Sequence, residues 1–345
     1  MKAGKLAPKQ LERLVLGRFA HRRSDVLVPA GLGEDSAVID FGDEVCLLST
    51  DPITGVGRGA GRLAVHVSCN DIAANGGHPI GVQVVLLLPE GTEDSSIIEL
   101  MDGVECACAE LGIEVLGGHT EITSRVTAPL VVTTAVGRAP KNRYVTSAGA
   151  RPGDAVVVTK GVGIEGTAIL AAEWADTIRR AAIKKHLEAE TDTLEALLCR
   201  AKAFAEEISA VNEGVAAASF GVSAMHDVTE GGLYGALYEI GKASRVGFRI
   251  EAAKVPIRPE TAFICDCLEL DPLGLISSGT MLITCPDGGG LVEHLVNAGV
   301  PAFVIGEVGE QPSLLVLPNA ETQLLPQLPE DELWRFLASS SKFQD

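Results

Sequence analysis

The sequence predicts a mixed α/β (α+β) protein of two domains, and three observations carry that expectation. The chain has 345 residues, 46% of them hydrophobic, enough to bury more than one small core. Valine- and leucine-rich segments of strand length alternate with segments of helical periodicity on both sides of the midpoint. Between the halves lies the turn-rich stretch Gly149-Ala-Arg-Pro-Gly-Asp154, which sets the expected boundary: residues 1–150 as an N-terminal domain and 151–345 as a C-terminal one.

In chain order, Leu11, Leu14, Val15 and Phe19 recur at helical spacing and predict an amphipathic helix docked on the body. Strands are expected at Ser36–Ile39, Val45–Ser49, Gly81–Leu88, Ile113–Leu116 and Leu130–Val136, each rich in β-branched or aliphatic residues and bounded by Gly, Pro or Asp. Arg62–Asn75 and Ser95–Leu111 read as helices, the second with Ile97, Ile98, Met101 and Val104 along one stripe. In the second half Ala155–Thr159 is a strand, and the charged region from about Ala175 to Ala218 reads as a helix pair split near Thr191–Thr193. Helices are expected at Gly232–Ala243, Glu260–Leu268 and Gly290–Asn297, and strands at Phe248–Glu251, Thr280–Thr284, Ala302–Ile305 and Ser313–Leu317. The polar end, Ser339–Asp345, is expected to fray.

With 28 basic and 46 acidic residues the formal charge is −18, which disfavours nucleic acid and anionic membrane as partners. Met1–Ala20 shows no apolar export segment, and the longest apolar run, Val82–Leu88 broken by Gln83, cannot span a bilayer; a cytoplasmic protein is the expectation. Eight cysteines are present without a C-x-x-C motif. The pairs Cys106/Cys108 and Cys265/Cys267 fall in helical segments, where residues two apart point away from each other, so thiols in a reducing compartment fit better than disulfides or metal ligation.

Six segments could carry chemistry. In Gly33-Glu-Asp-Ser-Ala-Val-Ile39, Asp35 sits in a glycine turn ahead of a strand, where a carboxylate can ligate a hard cation. In Ser49-Thr-Asp-Pro52, Asp51 follows an apolar strand, as ligand or as an Asx turn. Asn70 and Asp71 interrupt an apolar helix; they either face water or are buried for ligand duty. Gly117 and Gly118 would let backbone approach a phosphate, with His119 and Glu121 beside them. Gly161, Gly163 and Gly166 form a G-x-G-x-x-G after a strand, but charged helical sequence follows where a Rossmann unit needs a second strand ending in Asp or Glu. A phosphate-approaching loop without NAD is the better reading, and no P-loop motif is present. In Met225-His-Asp-Val-Thr-Glu-Gly-Gly-Leu233, Asp227 precedes Gly231 at a helix start, where amides and a carboxylate can organise a magnesium triphosphate or simply cap the helix.

Taken in order, GEDSAVI, STDPITG, CNDIAANGGHPIG, EVLGGHTEIT, GVGIEGTAIL and HDVTEGGL resemble the superfamily of aminoimidazole-ribonucleotide synthetase, selenophosphate synthetase, thiamine-monophosphate kinase and the hydrogenase-maturation protein HypE. The resemblance covers about Gly33 to Gly309 and is strongest to the hydrogenase-maturation branch. It implies a PurM-like two-domain architecture, a homodimer made through the N-terminal domain, and ATP bound with Mg2+ for phosphoryl transfer to an oxygen of a small-molecule or protein acceptor. It implies Asp35, Asp51, Asp71 and Asp227 as magnesium ligands. Asn70, Gly117, Gly118, Gly161, Gly163, Gly166 and Gly231 would contact ATP, and Asp227, His119 and Glu121 would act in catalysis. Two departures stand out. The hydrogenase-maturation branch uses a terminal cysteine as carbamoyl acceptor, whereas no cysteine follows Cys285 here, which implies another acceptor. His119 stands where that branch carries Asp, and the N-terminus shows no reactive cysteine and lysine of the selenophosphate type.

Overall fold

The computed structural model describes residues 5–54, 59–187, 193–326 and 330–339. A short helix, α1 (Pro8–Leu14), opens it, followed by a sheet of β1 (Val26–Val28), β2 (Ala37–Asp40), β3 (Glu44–Ile53), β4 (His78–Leu88), β5 (Glu114–Ile122) and β6 (Leu130–Pro140). Their spatial order is β1-β2-β3-β6-β4-β5. Helices α2 (Ala60–Ala74) and α3 (Asp94–Leu111) cover this sheet, and α3 returns the chain so that β5 lies parallel to β4. Alternation along β3 turns Val45, Leu47, Ser49 and Asp51 to one face. The first two enter a core with Val65, Cys69 and Ile72 of α2, and the last two carry the same face into a polar cleft.

The second sheet comprises β7 (Ala155–Thr159), β8 (Ala224–Val228), β9 (Gly247–Glu251), β10 (Thr280–Cys285), β11 (Ala302–Gly309), β12 (Leu314–Val316) and β13 (Thr322–Leu324), in the order β13-β12-β9-β11-β7-β10-β8. Around it lie α4 (Ile164–Glu173), α5 (Ala175–Lys185), α6 (Leu194–Ala203), α7 (Val211–Phe220), α8 (Gly232–Ser244), α9 (Pro259–Leu268), α10 (Gly288–Asn297) and α11 (Glu332–Ser339). β8 and β10 are buried at every residue because α8 packs on one face and α7 with α10 on the other. The two sheets meet where α2 crosses α7. Gly214 allows that approach, since a Cβ there would stand 2.3 Å from the Ala73 carbonyl oxygen.

Most expected elements are present within a few residues, and all eight cysteines are free. Four expectations need correction. The N-terminal helix ends at Leu14, because the chain tightens into a 3-10 turn at Leu16–Arg18; none of its residues is fully buried, and Phe19 is exposed. The charged region forms three helices, α5, α6 and α7, and the Thr193 hydroxyl caps α6 by accepting the Ala196 amide at 3.3 Å. Thr191 and Asp192 lie outside the described residues, as does the end from 340 to 345. The strand expected at Ile113–Leu116 runs on through the glycines to Ile122. Strands β1, β8 and β13 and helix α11 were not anticipated. Among the described residues no helix is long and apolar enough to cross a membrane.

Candidate active site

A cleft of about 530 Å³ opens between the two sheets. α2 turns Leu63, Val67 and Asp71 into it, four residues apart and so on one face. β3 supplies Ser49 and Asp51, the turn before β2 supplies Glu34 and Asp35, and the end of β8 supplies His226 and Asp227. Glu165 on α4, Glu239 on α8, and Leu333 and Trp334 on α11 complete the walls. The sequence positions expected to bind magnesium, Asp35, Asp51, Asp71 and Asp227, are therefore brought together from both sheets.

Crowding of carboxylates in a water-poor cleft determines the electrostatics. Burial pushes Asp71 well above the ordinary carboxyl range, and Asp227, Asp51 and Asp35 push it further. Its Oδ2 accepts a short hydrogen bond from the Ser49 hydroxyl. Asp227 is pushed up to about 7 by burial and by Asp35, against the pull of His226 and Lys5. Glu34 reaches about 7 through burial and its neighbour Asp35. The Asp227 Oδ2 and Glu34 Oε2 atoms are buried without a hydrogen-bond partner.

His226 answers part of this charge. Its Nδ1 lies against Asp35 and its Nε2 stands 2.6 Å from Glu239 Oε2. Burial disfavours an imidazolium, but the two carboxylates override it and hold the ring's pKa well above the ordinary histidine value. Glu239 is correspondingly held down at about 2: burial opposes its charge, and the His226 hydrogen bond and charge overcome it. Lys5 also points into the cleft. Its backbone N–H donates to Glu230 Oε1 at 3.0 Å and its ammonium to Thr229 Oγ1 at 3.4 Å. The residue as a whole is exposed, but its ammonium is enclosed; that burial opposes the charge, and Glu239, Asp227 and Glu230 more than compensate.

Several predicted ligand contacts are placed elsewhere. Asn70 neighbours Asp71 in sequence, but the 100° turn per helical residue aims it at the second sheet's helices. There its Nδ2 donates to the Ile208 carbonyl at 2.9 Å and its Oδ1 accepts the Ala210 amide at 2.6 Å. Gly117, Gly118, His119 and Glu121 lie on the edge strand β5, separated from β3 by β4 and β6, and none lines the cleft. His119 and Glu121 are exposed, 3.5 Å apart. Gly118 serves the pairing with β4, because a Cβ there would stand 1.8 Å from the Val84 oxygen.

The glycine loop is a packing device as well. Gly163 donates its amide to Ser277 Oγ at 2.8 Å, Gly166 donates to the Ile276 oxygen at 3.0 Å, and a Cβ on Gly166 would meet Leu275 at 2.4 Å. Gly161 faces Pro256. Only Glu165 of this loop reaches the cleft. At the start of α8, the Gly231 amide donates to Asp331 Oδ2 at 2.6 Å.

The sequence reading missed Lys5, Glu239 and Trp334 as residues of this site. Glu239 carried a usable signal: it is the acid two turns after Gly232, hence on the same face of an otherwise apolar helix. Lys5 and Trp334 carried none, since only the fold brings these two distant segments to the cleft.

As chemistry, the cleft presents an oxygen-rich donor set with two orphaned carboxylate oxygens. That suits a hard divalent cation. The Asp35, His226 and Asp227 ligand atoms fall within 4.8 Å of one another, although His226 already spends both nitrogens on carboxylates.

The chain matches the AIR synthase related protein N-terminal domain over residues 33–139 and the C-terminal domain of the same description over 151–316. It is 30% identical over 287 residues to the carbamoyl dehydratase HypE of Rhizobium leguminosarum bv. viciae, covering 80% of this chain and 77% of that protein. Its fold is shared with the hydrogenase maturation protein HypE in complex with ATP (TM-score 0.66, 21% identity, 96% of this chain and 97% of the other). It is also shared with AaThiL complexed with AMPPCP and TMP (TM-score 0.65, 22% identity, 95% and 98%). Two domain matches in sequence order, a relative at this identity and a cleft built from both sheets lead to one conclusion: the chain belongs to the AIR synthase related family, in the group that contains the HypE proteins.

Proposed function

We propose that this protein is an ATP-dependent enzyme that transfers the γ-phosphoryl group of Mg-ATP to a carbonyl or amide oxygen of an acceptor, so that the oxygen can leave. The observation that carries this reading is the set of carboxylates of half-buried Asp51 and buried Asp71 and Asp227, which repel one another and hold an orphaned oxygen in the cleft. Such a cluster is costly unless a cation neutralises it. Asp51, Asp71 and Asp227 would hold magnesium, with Asp35 alongside. Bound there, the metal would neutralise phosphate charge during transfer. Ser49 fixes the Asp71 carboxyl through its hydroxyl, and the Asp35–His226–Glu239 chain ties the two sheets together beside it. Lys5 supplies a positive charge to the cleft. The HypE relative is named for carbamoyl dehydration, which supports an amide-type acceptor.

The reading extends to organisation. Residues 1–150 and 151–345 form the two units, and the working species is a cytoplasmic homodimer. Edge strand β5, with Leu116 and Ile122 exposed beside His119 and Glu121, is the surface for the second copy, which would carry Gly117, Gly118 and His119 toward the partner's nucleotide. Calorimetric titration of ATP with and without Mg2+, followed by ADP release in the presence of candidate amides, tests the activity. Absence of magnesium-dependent ATP binding would overturn it.

A second reading, a small-molecule kinase, is favoured by the likeness to AaThiL. Mass spectrometry separates the two. A kinase accumulates a phosphorylated product, whereas the dehydrating enzyme releases phosphate and leaves the acceptor short of one water.

A further inference from the structure

A pocket of about 380 Å³ lies against helix α8 and shares no lining residue with the cleft. Tyr234, Leu237, Tyr238, Gly241 and Lys242 recur at three- and four-residue spacing and so form one face of α8, whereas Glu239, which reaches the cleft, lies on another. The facing wall is built from Gln311, Pro312 and Ser313 with Leu324 and Leu325. Leu237, Val246 and Leu325 make a buried apolar floor, and Leu324, 66% exposed, keeps the rim apolar as well. The volume suits a small molecule.

Three donors in this lining are unspent. The Lys242 ammonium stands 5.7 Å over the Tyr238 ring and makes no hydrogen bond or ion pair among the described residues. The Tyr238 hydroxyl has no hydrogen-bond partner among them either. Burial, helped by Glu12 and Glu239, holds its pKa above the ordinary tyrosine value, so it stays protonated and able to donate. Ser313 Oγ accepts the Phe248 amide at 3.2 Å, which leaves its O–H free. Among the described residues Lys242 is the only charged group that lines the pocket. The nearby acids, Glu12 and Glu239 beside Tyr238 and Asp271, which accepts the Tyr234 hydroxyl at 3.0 Å, are not part of the lining. In a chain of charge −18 this is the reverse of the acid-crowded cleft.

We propose that this pocket is a second ligand site, for a small monocarboxylate with an apolar body. The body lies on Leu237, Val246 and Leu325; the carboxylate pairs with Lys242, with the Tyr238 and Ser313 hydroxyls as further donors. Charge complementarity selects this occupant, because a cation would meet an unpaired ammonium and a wholly apolar molecule would leave three donors unanswered. The metal-free cleft repels the same carboxylate, so the two sites select opposite chemistry. The site stands independently of the ATP reading.

The probe is hydrocinnamate, a phenyl ring on a short chain ending in a carboxylate, titrated into the full chain without nucleotide and followed by calorimetry and saturation-transfer NMR. A Kd of about 1 mM is expected for wild type. Hydrocinnamamide, its neutral counterpart, is expected to bind about tenfold more weakly, and hydrocinnamate itself about tenfold more weakly to Lys242→Met and to Leu324→Asp, which sets a like charge at the rim. Both positions are exposed, so the thermal midpoints of these variants are expected to match wild type. Asp227→Asn, in the cleft, is expected to leave hydrocinnamate affinity as it is. No hydrocinnamate binding to wild type, equal binding of the amide, or full affinity in either pocket variant would overturn the proposal. So would affinity lost in Asp227→Asn or displacement by Mg-ATP, either of which would put the molecule in the cleft.

Discussion

Asn70 and Asp71 are adjacent on one helix and both buried, yet they end in opposite kinds of polar environment. Asn70 lies in a seam where both of its own polar groups have partners. Its amide bridges Ile208 and Ala210, and nearby Lys160 donates to the carbonyl oxygens of Glu207, Ser209 and Gly279 while pairing with Glu213 at 2.6 Å. Asp71 lies in a cleft where carboxylates outnumber cations and oxygens are left without partners. Satisfied polar groups stabilise the junction of the sheets; unsatisfied ones are stored for a ligand.

The difference can be tested from its strongest element downward. Lys160→Met should cost about 3–5 kcal/mol, because it leaves Glu213 buried and uncompensated. Urea denaturation with an unchanged midpoint would remove Lys160 from the seam. Asp71→Asn and Asp227→Asn should each weaken Mg-ATP binding by about a hundredfold, close to 3 kcal/mol, while the nucleotide-free protein becomes no less stable. Calorimetry showing full affinity in both would refute the metal assignment. Asn70→Ala should cost about 2 kcal/mol in stability, through two lost hydrogen bonds and an unpaired Ala210 amide, without altering ATP affinity beyond what unfolding explains.

pH separates the two environments further. Asp227 and Glu34 have folded-state values raised to about 7, so the folded protein binds more protons than the unfolded chain between about pH 4 and 7. Stability from these groups is fully present below the unfolded carboxyl pKa and is lost as pH rises through about 7. Thermal scans of metal-free protein should therefore show a decline of several kcal/mol over that window, since a pKa raised by about three corresponds to about 4 kcal/mol for a group as buried as Asp227, and the decline should be reduced in Asp227→Asn. A flat profile would mean that the carboxylates are better solvated than the cleft implies. The smallest effect belongs to the edge strand: His119→Ala and Glu121→Ala should change folding free energy by no more than about 0.5 kcal/mol. A drop in ATP affinity in either variant would bring the edge strand of a second copy into the site.

The four aspartates were legible as candidates because each stands at a strand end, a turn or within an apolar helix, where an acid can ligate a cation, although an Asx turn or a helix cap would use the same residue. The glycines were not separable on the same grounds. Gly118 and Gly166 are required by close packing against Val84 and Leu275 and Gly163 by its left-handed φ of 73°, and the same residue type would serve a phosphate. Asn70 shows why neighbours cannot be read as a pair: one residue of helical rotation divides seam from cleft.

Sequence by itself determined the alternation of strands and helices, the acidic balance and the set of aspartates, because periodicity, turn chemistry and charge are local properties. Tertiary structure alone decided which of these residues meet. It brought Asp35 and Asp51 from one sheet to His226 and Asp227 of the other, and it added Lys5 and Trp334 from segments more than 300 residues apart. It also removed His119 to an exposed edge. Contacts between residues far apart in the chain depend on strand order and helix crossing, which the packing of two whole cores sets and no local pattern encodes.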